Sequence, residues 1–293
     1  MLIQRPRLRG KGKSITGWSA VYIIMTFIVV FMALPLVYTL SSAFKPLDEL
    51  YIFPPRFWVS NPTFKNFLDL VSSIGSASVP FSRNVLNSVI VTVATVTLTC
   101  AVSAAGAYGM VIYRPPGSNF LYNVVVSALM FSPHVTQIPR YMVVNGLGLV
   151  DNYLALIIPG IAVAYNFFLL RQFLISFPKE LVEAGRIDGA GELGIFRKLV
   201  LPAMKPALAT LVVLSFVANW NDYFSALIYT SDQAMRTLPL ALQTISGGSG
   251  AASIGSAGAA AAASLIMILP TITIFTLSQK KVMETMVLSG IKG

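Results

Sequence analysis

Long uncharged apolar segments constrain this chain more than any other feature of its sequence. A helix needs about 20 apolar residues to cross a hydrocarbon core of about 30 Å. Residues 14–44, 84–113 and 152–170 carry no formal charge. With only 11% charged residues and a mean hydropathy of +0.74, the chain cannot hide its apolar surface in a water-facing fold. The sequence therefore predicts an all-α polytopic membrane protein.

Six transmembrane helices are predicted in total. Besides the three uncharged segments, residues 115–139 form an apolar segment that is interrupted only by His134. A fifth span covers residues 206–221 and can extend to about Thr230, and a sixth is placed at about 258–278. The chain then divides into a basic tail (1–13), a first helix (14–44), an outer loop with a short helix near 64–71 (45–82), a five-helix core (83–279) containing a loop at 178–202, and a second tail (280–293).

The distribution of Lys and Arg predicts the orientation of the spans. If both termini are cytoplasmic, 15 of the 21 basic residues lie on cytoplasmic segments and six on outer segments, whereas the 11 acidic residues divide five and six. The whole formal excess of +10 is then cytoplasmic, as the positive-inside rule requires. Topology explains the basic character of the chain, so nucleic-acid binding is not predicted.

Several chemical functions are not supported by the residues present. Gly12-Lys13-Ser14 resembles the end of a phosphate-binding loop, but position 7 is Arg7 rather than Gly and no strand precedes it. The single Cys100 excludes a disulfide framework, and a single His excludes a His-based metal cluster. We therefore expect no nucleotide, metal or cofactor site.

Two features leave alternatives open. His134 follows Pro133 at the outer part of the predicted third span, where an ionisable group is a functional candidate or a plain packing or water-facing residue. The small residues of 251–264 recur at four-residue spacing, which lets helix backbones approach closely. That run is either a tight packing surface or a gate.

A charged stretch, EAGRIDGAGELGIFRKLVLP at 183–202, lies between two apolar segments. Pro178 suits the first turn of a short helix. Gly189 and Gly191 favour a turn, and Asp188 can cap a second helix that follows. The pattern predicts a helical hairpin at the cytoplasmic face, which is either a docking element for another protein or a solvated linker.

This stretch resembles the EAA loop in permease subunits of binding-protein-dependent ABC importers, whose pattern is Glu-Ala-Ala, three residues, Gly, and an apolar run ending in Leu-Pro. The matching residues are Glu183, Ala184, Asp188, Gly189, Ala190, Leu201 and Pro202, with Gly185 in place of the third Ala. The likeness covers about 83–293 and includes PRYMVVNGLGLVDNYLALIIP, the Trp-Asn-Asp of 220–222, TLPLAL from Thr237, and the final SGIKG. Together these segments are similar to the maltose-type second permease for complex oligosaccharides, and they also resemble the permeases of alginate importers.

The resemblance implies a MetI-like permease fold in the bacterial cytoplasmic (inner) membrane. It implies a second homologous permease subunit, two ATPase subunits, and an extracytoplasmic solute-binding protein that delivers an oligosaccharide. The chain itself would be no enzyme, because its partners would hydrolyse the ATP. Besides these partners, it would contact only membrane lipid.

The resemblance also assigns roles to residues. Eight residues of the charged stretch would couple to the ATPase: Glu183, Ala184, Gly185, Asp188, Gly189, Ala190, Leu201 and Pro202. The tail would reach between the ATPase subunits through Ser289, Gly290, Ile291, Lys292 and Gly293. The loop 231–257 would probe the binding protein. The substrate path is expected to include Tyr108, Asn166, Asn219, Trp220, Asn221 and Tyr223.

Two other classes of protein compete with this interpretation. An ion-coupled secondary carrier usually needs an ionisable or unwound ion site within the membrane, and the sequence has neither a carboxylate pair there nor an inverted repeat. A membrane scaffold would have no substrate path and no ATPase partner.

Overall fold

The computed structural model describes residues 15–75, 79–246 and 257–290. These residues form helices and connecting turns without any strand, so the all-α prediction is confirmed for the described part of the chain. The helices are α1 (Ile15–Phe44), α2 (Leu47–Leu50), α3 (Lys65–Gly75), α4 (Phe81–Tyr108), α5 (Ser118–Ala128), α6 (Gln137–Gly146), α7 (Tyr153–Ile161), α8 (Ala164–Ile175), α9 (Lys179–Ile187), α10 (Glu192–Ala203), α11 (Lys205–Trp220), α12 (Phe224–Tyr229), α13 (Leu238–Ser246) and α14 (Ala257–Gly290). A π-helical turn, Gly109–Tyr113, extends α4, and another, Phe196–Val200, lies within α10.

Four segments of the described chain are long and apolar enough to cross a membrane. They are Val21–Phe44, Phe81–Tyr113, Tyr153–Ile175 and Ala257–Met283. α10 and α11 together form a fifth candidate, but their axes differ by 75°. The membrane-spanning character is therefore confirmed, whereas the predicted count of six spans is not.

The predicted third span, residues 115–139, is not a continuous helix. α5 has only 11 residues and is about 16 Å long, too short to cross the hydrocarbon core. Turns occupy 129–136, where Pro133 cannot donate a backbone hydrogen bond, and α6 begins only at Gln137. His134 is exposed within these turns, so it is not packed between helices.

α4 packs against α7, α8 and α11 at the centre of the bundle. One face of α4 carries buried polar side chains three or four residues apart: Asn84, Ser88, Thr92, Thr95, Thr99 and Ser103. The Thr99 hydroxyl donates to the Gly160 carbonyl (3.1 Å), and the Ser88 hydroxyl accepts from the Leu238 amide (2.7 Å). Such bonds join helices where burial of apolar surface supplies little driving force between them.

The largest buried cluster lies at the end of α4 that carries its π-helical turn. There α4, α8, α9, α10 and α11 meet through Tyr108, Leu170, Leu174, Val182, Ile195, Val200, Met204 and Leu211. A second cluster lies towards the opposite end of α4, where α14 packs against α1 and α11. Its buried Ala259, Ala262 and Ala263 belong to the small-residue run, and these positions favour the packing interpretation of that run. Residues 251–256 of the run lie outside the described residues.

Candidate functional site

The charged stretch folds as the α9–α10 hairpin, residues 179–203. Pro178 is the N-cap of α9 and so precedes the first turn, one position earlier than predicted. α9 ends in a Schellman motif, in which the amide of Ala190 donates to the Gly185 carbonyl (3.0 Å) and the amide of Gly189 donates to the Arg186 carbonyl (3.0 Å). Gly189 has a φ of +78°, a conformation that suits glycine because it has no Cβ.

The second helix of the hairpin begins differently from the prediction. Asp188 is the C-cap of α9, and the N-cap of α10 is Gly191, whose backbone is extended (φ −68°, ψ 161°). No side chain caps α10. The predicted capping role of Asp188 is therefore wrong, because the Schellman turn places this residue at the end of the preceding helix.

One face of α9 packs against the bundle. Val182 belongs to the largest buried cluster, and Gly185 lies against α10. A Cβ atom on Gly185 would be 3.0 Å from Leu199 Cδ1 and 3.4 Å from Ile195 Cγ1. The Gly in place of the motif's third Ala thus permits a close approach of α9 to α10, and an Ala there would require Leu199 to shift.

Glu192 joins the two helices of the hairpin to each other and to α4. Its Oε1 accepts from Arg186 of α9, with an Nη2 to Oε1 distance of 2.9 Å. Its Oε2 accepts from the Tyr108 hydroxyl at 2.5 Å, and the Tyr108 ring packs against Phe196 of α10. These contacts between Tyr108, Arg186 and Glu192, here called the Glu192 latch, tie the hairpin to a membrane span.

The sequence interpretation missed Arg186 and Glu192 and gave Tyr108 a different role. Opposite charges on the two sides of a Gly-containing turn could have indicated the Arg186–Glu192 pair. Nothing in the local pattern indicates Tyr108, which lies 84 positions before Glu192.

The other face of the hairpin is open to solvent. Glu183, Ala184, Asp188, Gly189, Ala190 and Pro202 are exposed, Leu201 is half-buried and Gly185 is buried. Large apolar side chains lie among these residues, since Ile187 is 86% exposed, Leu193 61% and Leu181 51%. Three large exposed apolar side chains on one short hairpin suit a protein interaction site.

A cavity of about 190 Å³ opens between α9 and the end of α4. Its charged lining consists of Glu183 and three basic residues, Arg114, Lys179 and Arg186. Glu183 has no ion pair within the described residues, although it borders this basic cavity. Its carboxylate therefore remains available to a partner.

The residues predicted for the substrate path do not meet in one place. Tyr108 belongs to the Glu192 latch. Asn166 is buried and donates to the Ser215 hydroxyl (3.0 Å), and Asn219 donates to the Ser215 carbonyl (2.7 Å). Trp220 is buried and donates through Nε1 to the Met267 carbonyl (3.1 Å).

Asn221 and Tyr223 lie at the far end of α11 from the hairpin. Asn221 is exposed and donates to the Val217 carbonyl (2.8 Å), and Tyr223 is 39% exposed. Of the six predicted path residues, these two are therefore the most accessible to a ligand.

The predicted binding-protein loop is described only in part. Its first residues are held by Asp151, whose Oδ1 accepts from the amides of Ser231 (2.5 Å) and Asp232 (3.0 Å). Residues 247–256 lie outside the described residues. The same applies to Ile291, Lys292 and Gly293 of the tail, while Ser289 and Gly290 end α14.

The described residues include no group of three or more His, Cys, Asp or Glu that could hold a metal ion.

Apolar spans joined to a charged, partly apolar hairpin define a polytopic membrane protein. Residues 14–284 match the family described as the inner membrane component of binding-protein-dependent transport systems, and the chain belongs to that family. It is thus a transport permease rather than an enzyme, in a multi-pass arrangement in the inner membrane.

Several relatives and one solved structure resemble the chain. The arabinooligosaccharides transport system permease protein AraQ of Halalkalibacterium halodurans is 30% identical over 98% of this chain and 100% of the relative. Protein LplC of Bacillus subtilis is 30% identical over 89% of each chain, and the sn-glycerol-3-phosphate transport system permease protein UgpE of Yersinia pestis is 37% identical over 61% of this chain and 64% of its own. A chain of a bacterial ABC transporter involved in the import of the acidic polysaccharide alginate aligns with a TM-score of 0.80, 22% identity, and coverage of 94% of this chain and 99% of that chain. This likeness confirms the permease fold.

Proposed function

We propose that this chain is one of two homologous permease subunits of an ATP-driven importer that carries an oligosaccharide delivered by a solute-binding protein. The exposed face of the α9–α10 hairpin is the observation that carries this proposal. It combines the residues that match the EAA pattern with exposed Leu181, Ile187 and Leu193. The hairpin docks on an ATPase subunit, and the tail 289–293 reaches between the two ATPases.

The Glu192 latch supports a mechanical role for the hairpin. A displacement of the docked hairpin is passed to α4 through the Tyr108–Glu192 hydrogen bond and through Val182 in the largest cluster. Packed helices move as rigid bodies between two arrangements rather than deforming continuously. ATP-driven closure of the partners therefore rocks the spans between inward-facing and outward-facing states.

The proposed substrate path is lined by those predicted residues whose side chains are accessible. Asn221 and Tyr223 present polar groups at the end of α11, and Asn219 borders a small cavity with Asp222 and Ser225. Amide and hydroxyl groups suit a sugar substrate. Asn166, Trp220 and Tyr108 support the walls of the path, because their hydrogen-bonding groups are used within the subunit.

An oligosaccharide is proposed as the substrate because AraQ, by its name, transports arabinooligosaccharides and aligns over its whole length. The binding protein delivers it to the loop 231–257, whose start is held by Asp151. Alginate remains a prediction, since 22% identity to the alginate transporter supports the shared fold and does not extend to the substrate.

The proposed orientation has both termini and the hairpin in the cytoplasm. The predicted tails, 1–13 and 280–293, are then cytoplasmic, and the predicted loop 45–82 lies on the outer side of the membrane. A cysteine at exposed Ala190, in a Cys100→Ala background, is expected to resist an impermeant thiol reagent in intact cells. A cysteine at exposed Gln233 is expected to react, and it serves as the positive control. Strong labelling at position 190 with none at position 233 would reverse the orientation.

The proposed function is tested by uptake into proteoliposomes that contain the chain and the subunits that copurify with it. Uptake of a labelled oligosaccharide is expected to require ATP and the binding protein and to persist when ionophores collapse ion gradients. Uptake without ATP that ionophores abolish would instead indicate a secondary carrier. If intact complexes hydrolyse ATP but take up no oligosaccharide supplied by the binding protein, an oligosaccharide is not the substrate.

A further inference from the structure

Residues 51–58, here called the aromatic loop, present large apolar side chains away from the protein. Phe53 is 92% exposed and Trp58 is 78% exposed, while Tyr51 and Phe57 are about half exposed. The loop lies between α2 and α3. Ala43 at the end of α1 and Leu70 of α3 belong to the second cluster, at the opposite end of α4 from the hairpin. Four exposed aromatic rings within eight residues indicate contact with something other than water.

Buried polar side chains hold the aromatic loop in place. Lys45 is only 2% exposed, and its Nζ donates to the Arg56 carbonyl. The buried Glu49 carboxylate accepts from the amides of Ser60 (3.0 Å) and Asn61 (2.9 Å). A buried charge is costly unless it is hydrogen-bonded, so these bonds favour one loop conformation. The exposure of the aromatic rings is therefore a property of an anchored loop.

The contacts of the aromatic loop with α1 show how far along that helix the loop lies. The Phe57 ring packs edge-on against Tyr38 with centroids 5.9 Å apart, and the Ser41 hydroxyl donates to the Phe57 carbonyl. At 1.5 Å per residue, Tyr38 lies about 9 Å along α1 from its end at Phe44. The loop thus folds back beside a span whose Val21–Phe44 segment carries no charged residue.

The composition of the loop suits the boundary between hydrocarbon and headgroups. Trp and Tyr concentrate at this boundary because their rings are apolar and carry a polar group. Arg56 is the only charged residue of 51–58, and it is exposed between Phe53 and Phe57. An exposed guanidinium at this level matches the phosphate of an anionic phospholipid.

We propose that the aromatic loop inserts into the interfacial layer of the bilayer beside α1, with Arg56 binding anionic lipid phosphates. Insertion holds the end of α1 and the attached α2–α3 segment at a fixed depth while other spans move. The inference requires only that α1 crosses the membrane, so it is independent of the transported substrate and of the ATPase partner.

Depth-dependent fluorescence quenching tests this proposal. The full chain, with the subunits that copurify with it, carries Phe53→Cys in a Cys100→Ala background and is labelled with the environment-sensitive fluorophore NBD. It is reconstituted in phosphatidylcholine–phosphatidylglycerol vesicles with lipid spin-labelled near the headgroup. We expect blue-shifted emission and loss of most of the fluorescence. The matched control, Gln233→Cys, is exposed at the start of a short 3₁₀ helix and is expected to remain unquenched. It lies at the same end of the bundle, because the carbonyl of the next residue, Ala234, accepts from Asn87 near the start of α4.

The alternative outcomes are distinct. Emission at position 53 that is neither shifted nor quenched would leave the loop in water, and shifted emission without quenching would indicate that another protein subunit covers it. Either result overturns insertion. Quenching at position 53 is further expected to weaken in vesicles of phosphatidylcholine alone and in Arg56→Gln. Equal quenching in all three conditions would overturn the role of Arg56.

Discussion

Glu183→Lys is expected to abolish ATP-driven uptake in proteoliposomes, and with it the stimulation of ATP hydrolysis by loaded binding protein. Glu183 is exposed and has no ion pair among the described residues, so the change removes no salt bridge from this chain. An exposed ion pair is typically worth about 0 to 1 kcal/mol. Losing one partner of a charge pair in a docked interface costs about 2 to 5 kcal/mol. Lys at position 183 would also lie beside Lys179 and Arg186, but like-charge pairs at this helical spacing cost only about 0.2 to 0.5 kcal/mol. Docking therefore predicts a severe defect, whereas a solvated linker predicts a small one.

Glu180→Lys is the matched control for this variant. Glu180 is exposed in the first turn of the same helix and does not line the basic cavity beside Glu183. We expect its uptake to stay close to wild type and both variants to insert in the membrane. A reversed charge on the facing ATPase residue should restore part of the activity of Glu183→Lys. Wild-type uptake and stimulated hydrolysis in Glu183→Lys would contradict docking and indicate that the hairpin is a solvated linker.

Gly189→Ala is expected to weaken copurification of the ATPase and to reduce uptake. Gly189 has a φ of +78°, whereas nothing lies within 4 Å of the Cβ that Ala would add. The expected defect is therefore conformational rather than steric. A residue with a Cβ costs about 1 to 2 kcal/mol in the left-handed region. This cost corresponds to roughly a 5- to 30-fold shift away from the observed hairpin.

Gly191→Ala separates backbone conformation from side-chain size. Its added Cβ also has no neighbour within 4 Å, but the φ of Gly191 is −68°, which Ala adopts without strain. We expect Gly191→Ala to copurify with the ATPase as wild type does. Gly189→Asn should lie between wild type and Gly189→Ala, because Asn tolerates the left-handed region better than Ala. Equal defects at positions 189 and 191 would contradict a role for the positive φ.

The membrane class and the hairpin could be predicted from the sequence, because both depend on local properties. An uncharged apolar run such as 14–44 can satisfy its backbone hydrogen bonds in a bilayer only as a helix or a closed barrel, and its length suits a helix. The glycines at 189 and 191 likewise interrupt a helical pattern wherever it occurs. The order of the motifs then indicated the permease family, which the match of residues 14–284 confirms.

The buried polar face of α4 could have been predicted from the sequence, although the sequence interpretation did not include it. Ser88, Thr92 and Thr99 recur at helical spacing within an uncharged span, and that period predicts one shared face. The broken third span was harder to predict. Residues 115–139 are apolar enough on average, and only the turns at 129–136 show that the backbone leaves the helix there.

Which distant side chains meet was decided by tertiary packing alone. Tyr108 and Glu192 are 84 positions apart, and Asn166 and Ser215 are 49 apart. Periodicity reports which face of an element is apolar, but it carries no information about which element will cover that face. A Tyr or Asn in a span therefore looks the same in sequence whether it lines a path or is bonded inside the subunit. The packing of α4 against α8 and α11 places Asn166 and Tyr108 inside the subunit, because a buried polar group is stable there only when another helix supplies its hydrogen-bond partner.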